Sequence, residues 1–237
     1  MKIRILAAAL VLAFSSVASA TEIAVWNFND ATDSNSTFAG EVVAMLTVDK
    51  GAGILTTNVV EANIRDFAGS VINASTGDVA GQAISFQGGD LGTSLSPVNN
   101  GRNFTVQVST LGLEDIIVSM AVRRTASGFN NLAVEYSTDN MVFAAFGNIV
   151  PTDAPITAAG ALQTIDLSAI AAVENVASLY VRFTMTGAST ATGNIRLDNL
   201  RVEGTEIPTS VVPEPTTIAS AALGFVAFVV ARRRRAA

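Results

Sequence analysis

The chain has no cysteine and no histidine among its 237 residues, and only one tryptophan and two tyrosines. Each absence removes a chemistry. Without an imidazole, no Ser-His-Asp or Cys-His arrangement can take the proton of a nucleophile, and zinc and haem sites lose their usual ligands. Without thiols no disulfide forms, so packing or an oxygen-bound metal must stabilise the domain. Carboxylate chemistry of the glycosidase kind and hard cations such as calcium stay open to such a chain.

Basic residues are scarce as well. Lys2 and Arg4 stand at the front and Arg232, Arg233, Arg234 and Arg235 at the rear, which leaves eight Lys or Arg against nineteen Asp or Glu between residues 21 and 212, a formal charge of −11. A surface this acidic repels phosphate backbones and argues against nucleic acid as a partner. It suits divalent cations and neutral partners such as glycans.

The two ends carry addresses. Lys2 and Arg4 precede an apolar run from Ile5 to Phe14, and Ala18-Ser19-Ala20 supplies the small residues of a cleavage site. This pattern predicts a signal peptide over 1–20, cut by signal peptidase at Ala18 and Ala20 to leave Thr21 first. At the other end Val212-Pro213-Glu214-Pro215 precedes sixteen uncharged residues, 216–231, and then the four arginines. As a helix those sixteen reach about 24 Å, against roughly 30 Å of bilayer hydrocarbon, so the predicted transmembrane segment spans marginally. Pro213 and Pro215 keep the backbone before it extended, where a processing enzyme can grip it. The arginines stay cytoplasmic by the positive-inside rule, halt translocation and leave the domain outside.

Motif, short helix and arginine cluster together resemble the PEP-CTERM sorting signal. The resemblance covers about the last twenty-five residues, 213–237. It implies recognition by an exosortase, a membrane-embedded protease-transpeptidase, and processing at the envelope, commonly alongside exopolysaccharide production. The expected location is the cell envelope, cell surface or extracellular matrix, after a transient stay anchored in the inner membrane.

Between the ends, short alternating runs rich in Val, Ile, Thr and Phe are separated by Gly, Asn, Asp and Ser clusters, which predicts an all-β domain over 21–204. Strands are expected over 22–28, 53–59, 83–87, 103–109, 115–124, 131–137, 142–146, 163–167, 178–186 and 194–203. Phe104, Val106 and Val108 alternate with Thr105 and Gln107; Leu179, Val181, Phe183 and Met185 alternate with Tyr180, Arg182 and Thr184. Each run therefore has one face to bury and one to solvate. Ser137-Thr138-Asp139-Asn140 makes a hairpin turn, and the alanine-rich pieces 158–161 and 169–176 make turns within loops. Strands at this spacing predict a two-sheet antiparallel β-sandwich of jelly-roll type, with 205–212 as a linker to the sorting tail. No internal repeat of fixed period is visible.

Val25 to Asp30 and Asn194 to Val202 resemble exported jelly-roll domains that often accompany this tail, and carbohydrate-binding modules similar to them. The resemblance implies first and last strands side by side and a structural calcium, for which Asp198 with Asn27, Asn29 or Asp30 has oxygen ligands of the right kind. Taken alone, the same residues also fit a polar turn or an outward strand pair at Asp198-Asn199 and a loop opening at Asn29-Asp30.

Three functions follow. A non-catalytic surface or matrix component that binds surface polysaccharide fits the acidic surface and the missing imidazoles. Its difficulty is aromatic supply, because Trp26 is expected in the core and Tyr136 and Tyr180 are the only other Trp or Tyr residues. A purely structural or adhesive component would associate through strand edges or loops. A carboxylate glycosidase or lyase would draw on Glu114 with Asp115, Glu135 with Asp139, or Asp90; neighbours along a strand face opposite ways, which disfavours the first pair, and no catalytic residue is assigned.

Overall fold

Burial is what converts the alternating runs into strands, and every long run finds a partner. The computed structural model describes residues 20–29, 46–91 and 96–208. Ala18, Asp30, the sorting residues Val212, Pro213, Glu214 and Pro215, segment 216–231 and Arg232 to Arg235 lie outside the described residues. The chain divides into two units, Met1–Glu206 and Ile207–Ala237, and the sandwich belongs to the first. Among the described residues no helix is long and apolar enough to cross a membrane.

The expected two-sheet antiparallel sandwich of jelly-roll type is what forms. Its strands are β1 (Ala20–Trp26), β2 (Lys50–Gly51), β3 (Ile54–Thr57), β4 (Ile64–Ala68), β5 (Gln82–Gln87), β6 (Asn103–Val108), β7 (Leu113–Arg124), β8 (Asn131–Ser137), β9 (Ala144–Ile149), β10 (Leu162–Asp166), β11 (Leu179–Thr186) and β12 (Asn194–Glu206). Sheet A runs β10-β7-β12-β1-β2, with β5 also on β12 and β4 outside β5; sheet B runs β3-β6-β11-β8-β9. First and last strands pair antiparallel, Trp26 opposite Leu200 and Ala20 opposite Thr205.

Four details depart from the sequence expectation. Two strands, β2 and β4, were not foreseen: two residues carry no period, and β4 places a buried Asp66 between Arg65 and Phe67. Strand β9 runs Ala144–Ile149 rather than 142–146, because Asp139 accepts the N–H groups of Met141 and Val142 at 2.8 and 2.9 Å and so lengthens the turn. Thr205 and Glu206, expected in the linker, continue β12 opposite Glu114 and Leu113. The alanine-rich pieces tighten into 3₁₀ turns at Ala159–Ala161 and Ala171–Val173.

Aromatic side chains join the sheets. Phe86 of sheet A stacks on Phe104 of sheet B at 5.7 Å, and Phe104 stacks on Phe183 at 4.6 Å. All three are buried, as are Val106, Val181, Ile195 and Leu197 around them. Trp26 is buried as expected and donates its indole N–H to the Leu46 carbonyl at 3.1 Å. A buried indole needs such an acceptor.

Candidate functional site

Register places the outward residues of sheet B. Tyr180 of β11 lies opposite Gln107 on β6 and Ser137 on β8, Arg182 lies between Thr105 and Glu135, and Thr184 between Asn103 and Ala133. Leu179, Val181, Phe183 and Met185 are buried, so Tyr180, Arg182 and Thr184, half-buried, turn to the other side. Strand alternation alone decides this. Arg182 donates to Glu135 Oε2 at 2.9 Å and lies 3.6 Å over the Phe143 ring, which pins both long side chains flat to the sheet. The result is a broad polar face with a phenol at one end and a neutralised ion pair at its centre. Tyr136, by contrast, packs against the core. The sequence showed Tyr180 within an alternating strand, but its place beside Arg182 and Glu135 depends on strand order.

The remaining carboxylates are placed apart from that face or are already engaged. Asp139 accepts from the Ser137 hydroxyl at 2.8 Å as well as from the two turn N–H groups, and those main-chain donors, with Ser137, hold its carboxyl below the usual range. Asp115 lies in an irregular stretch of β7 with φ of +52°, and Glu114 faces Thr205 beside the matching register shift in β12. Asp90 is exposed.

Of the predicted cation residues, Asp198 sits at a junction within sheet A. Strand β12 pairs with β5 through Leu197 and with β1 from Leu200 onward, and at the hand-over its register against β7 shifts in a bulge between Asp198 and Arg201. Asn199 sits there at φ +48°, a left-handed conformation that Asn tolerates better than most residues. The strand expected over 194–203 therefore forms, with a bulge at its middle. Asn199 Nδ2 donates to the Ser70 and Ile72 carbonyls at 2.9 Å each, and its own N–H donates to Asp198 Oδ1 at 2.9 Å. Ser70 N–H donates to Asp198 Oδ2. From the end of β1, Asn29 Oδ1 accepts Gln82 N–H at 2.7 Å, while Asn27 Oδ1 accepts Asn29 N–H at 3.0 Å.

Whether these residues fit a cation can be judged at Gly69. A side chain there would fall 2.5 Å from the Ala80 carbonyl oxygen, 2.6 Å from that of Gln82 and 2.7 Å from Asp198 Oδ2. Contacts that short admit no side chain, so only glycine fits here, with three oxygens close around it; hard cations prefer oxygen ligands. Among the described residues no three acidic side chains gather, so main-chain carbonyls would supply much of the coordination. Burial pushes the Asp198 carboxyl up to about 8, against the lowering effect of the Ser70 and Asn199 N–H groups.

Comparisons with known proteins bear on the tail and the fold separately. Residues 211–235 match the PEP-CTERM protein-sorting motif. That motif marks an exported, cell-surface protein and implies exosortase processing. No curated protein matches the chain. Among solved structures, the CBM22-1 xylan-binding domain of Xyn10C from Paenibacillus barcinonensis is similar at 10% identity and a TM-score of 0.40, over 81% of this chain and 100% of that one. TmCBM61 in complex with β-1,4-galactotriose is similar at 9% identity and 0.39, over 72% and 98%. The K2 cleaved adhesin domain of Lys-gingipain is similar at 12% and 0.37, over 65% and 89%. Likeness at this level carries no argument about what this chain binds.

Proposed function

We propose that the chain is an exported, non-catalytic surface protein that binds polysaccharide across the outward face of sheet B and is held at the envelope by its sorting tail until exosortase processes it. The observation that carries the binding proposal is the half-exposed Tyr180, set among Gln107, Arg182 and Glu135 on a flat face. A phenol ring offers a stacking surface to a sugar, and amide, guanidinium and carboxylate groups offer hydrogen bonds to its hydroxyls. A charge of −11 favours a neutral polymer on that face. Glu135 is committed to Arg182 and Asp139 to its turn, which leaves neither of that pair in the role of a general acid. A calcium ion at the Asp198 bulge belongs to the same proposal as a structural tie, held by Asp198 Oδ2 and the Ala80 and Gln82 carbonyls.

The test is retention of the full chain, in detergent, on exopolysaccharide from its own producing cells. Tyr180→Ala is expected to weaken retention about tenfold with the thermal midpoint unchanged. Equal retention of the variant would overturn the role of this face. Deleting residues 213–237 is expected to release the domain from the envelope fraction; envelope retention of the shortened chain would overturn the role of the tail.

One observation favours an adhesive alternative. Strand β9 is an edge of sheet B, and Ala144, Ala145, Phe146, Met141 and Val142 are exposed along it and its turn. An exposed apolar edge is a template for pairing with another chain. Under this reading the protein self-associates at micromolar concentration, Phe146→Lys abolishes association, and Tyr180→Ala has no effect.

A further inference from the structure

Sheet A carries a row of basic residues that no carboxylate pairs with among the described residues. Arg65 of β4 lies opposite Ser85 of β5, Ser85 opposite Arg196 of β12, and Arg196 opposite Arg123 of β7. Residues opposite one another in register share a face. Three of the eight basic residues between 21 and 212 therefore stand in one line, in a stretch that holds nineteen acidic residues. Among the described residues none of the three forms an ion pair. Arg201, also on β12, shows what pairing looks like here: it reaches Glu22 at 2.6 Å and Glu203 at 2.7 Å.

The donors of the row reach main-chain carbonyls or an aromatic face at best, and some reach nothing. Arg65 donates to the Ile64 carbonyl, Arg123 to the carbonyls of Arg124 and Asp153, and Arg196 lays its guanidinium 3.8 Å over the Phe67 ring. The Nε atoms of Arg123 and Arg196 are buried with no hydrogen-bond partner, and so is the hydroxyl of Ser85, a residue with no exposed surface at all. Buried donors of this kind are uncommon, and like charges directly opposite on neighbouring strands repel. Asp198, two residues along from Arg196, does not relieve them, because its oxygens face Ser70 and Asn199. What the row lacks is a compact anion.

We propose that Arg65, Ser85, Arg196 and Arg123 form a binding site for a carboxylate carried on a sugar ring, that is, for a uronate unit of an acidic polysaccharide. Guanidinium forks match a carboxylate bidentately, and a serine hydroxyl adds a further donor. The charge of the whole domain repels a continuous phosphate backbone such as that of nucleic acid, so the fit is to the single carboxylate of a sugar ring. This site lies on the other sheet from Tyr180 and stands whether or not sheet B binds glycan.

The probe is trigalacturonate, titrated calorimetrically into the full chain in neutral detergent, with its methyl ester as the uncharged control. Saturable binding of the acid and none of the ester is expected. Arg196→Gln and Arg123→Gln should each weaken it about tenfold, the usual consequence of losing a charge-assisted hydrogen bond, while Arg102→Gln, at an exposed position outside both faces, leaves it unchanged. Because each of the first two variants relieves a repulsion, its midpoint without ligand should equal or exceed that of the parent. In the parent, trigalacturonate should raise the midpoint and the ester should not. No binding of the acid, equal binding of the ester, or undiminished binding by Arg196→Gln would each overturn the proposal, and none of these results touches the Tyr180 face.

Discussion

Two strand pairs, β8–β11 at Glu135 and Arg182 and β7–β12 at Arg123 and Arg196, handle charge in opposite ways. On sheet B the guanidinium of Arg182 meets Glu135 across one strand pair and rests on Phe143. On sheet A, Arg65, Arg196 and Arg123 line up with no carboxylate among them, although the domain is rich in acid. Both faces are built from alternating strands of similar composition. The difference lies in which strands are neighbours: β8 brings a glutamate to β11, whereas β7 brings an arginine to β12. A face whose charges are already paired presents a neutral surface for hydrogen bonding, and a face with unpaired donors presents a site for an anion.

The most severe way to break this comparison is to remove the packing that both faces share. Phe104→Ala takes away the middle ring of the Phe86, Phe104, Phe183 stack and should cost about 3–5 kcal/mol in urea unfolding. A loss below about 1 kcal/mol would mean that the sheets are held together elsewhere.

Next comes a test confined to the sheet A junction. If calcium ties Asp198 to the Ala80 and Gln82 carbonyls, chelation should lower the thermal midpoint by several degrees; an unchanged midpoint removes the ion from the proposal. In chelator, the protonation of Asp198 sets the sign of the pH response. Its carboxyl, raised from 3.8 to about 8 by burial, keeps in the folded chain a proton that the unfolded chain gives up. That contribution is complete below about pH 4 and is lost as pH rises toward 8. The midpoint should therefore fall between pH 5 and pH 8, beyond any fall seen with Asp198→Asn. Parallel curves for the parent and the variant would contradict the burial argument.

The smallest effects sharpen the comparison most directly. Glu135→Gln should cost up to about 1 kcal/mol, because the pair it breaks is partly exposed and leaves Arg182 alone. Arg123→Gln should cost nothing or stabilise slightly, since it removes a like charge facing Arg196. Equal destabilisation by the two substitutions, measured under one buffer, would show that the faces do not differ in the way argued.

Much of this was legible in the residues. Alternation in Phe104 to Val108 and Leu179 to Met185 placed β6 and β11 and told which side of each is buried, because a strand has a period of two whatever its neighbours. The absence of histidine and cysteine narrowed the chemistry, and Val212 to Arg235 announced the sorting tail, because such signals are read as linear sequence. Strands β2 and β4 were not legible: one is too short to show a period, and the other carries a charged residue on its buried side. Asp198 and Asn199 were singled out for their side-chain type, but their bulge exists only because β12 exchanges β5 for β1 at that point.

By itself, then, the sequence determined the all-β class, the inward and outward side of each long strand, and the address at the C-terminus, since all three depend on local order along the chain. Only the tertiary structure decided that Arg182 meets a glutamate while Arg196 meets another arginine, that three oxygens close around Gly69, and that Trp26 finds its acceptor at Leu46. Those relations join residues from tens to more than a hundred positions apart in most cases. They are set by strand order and register, which no local pattern encodes.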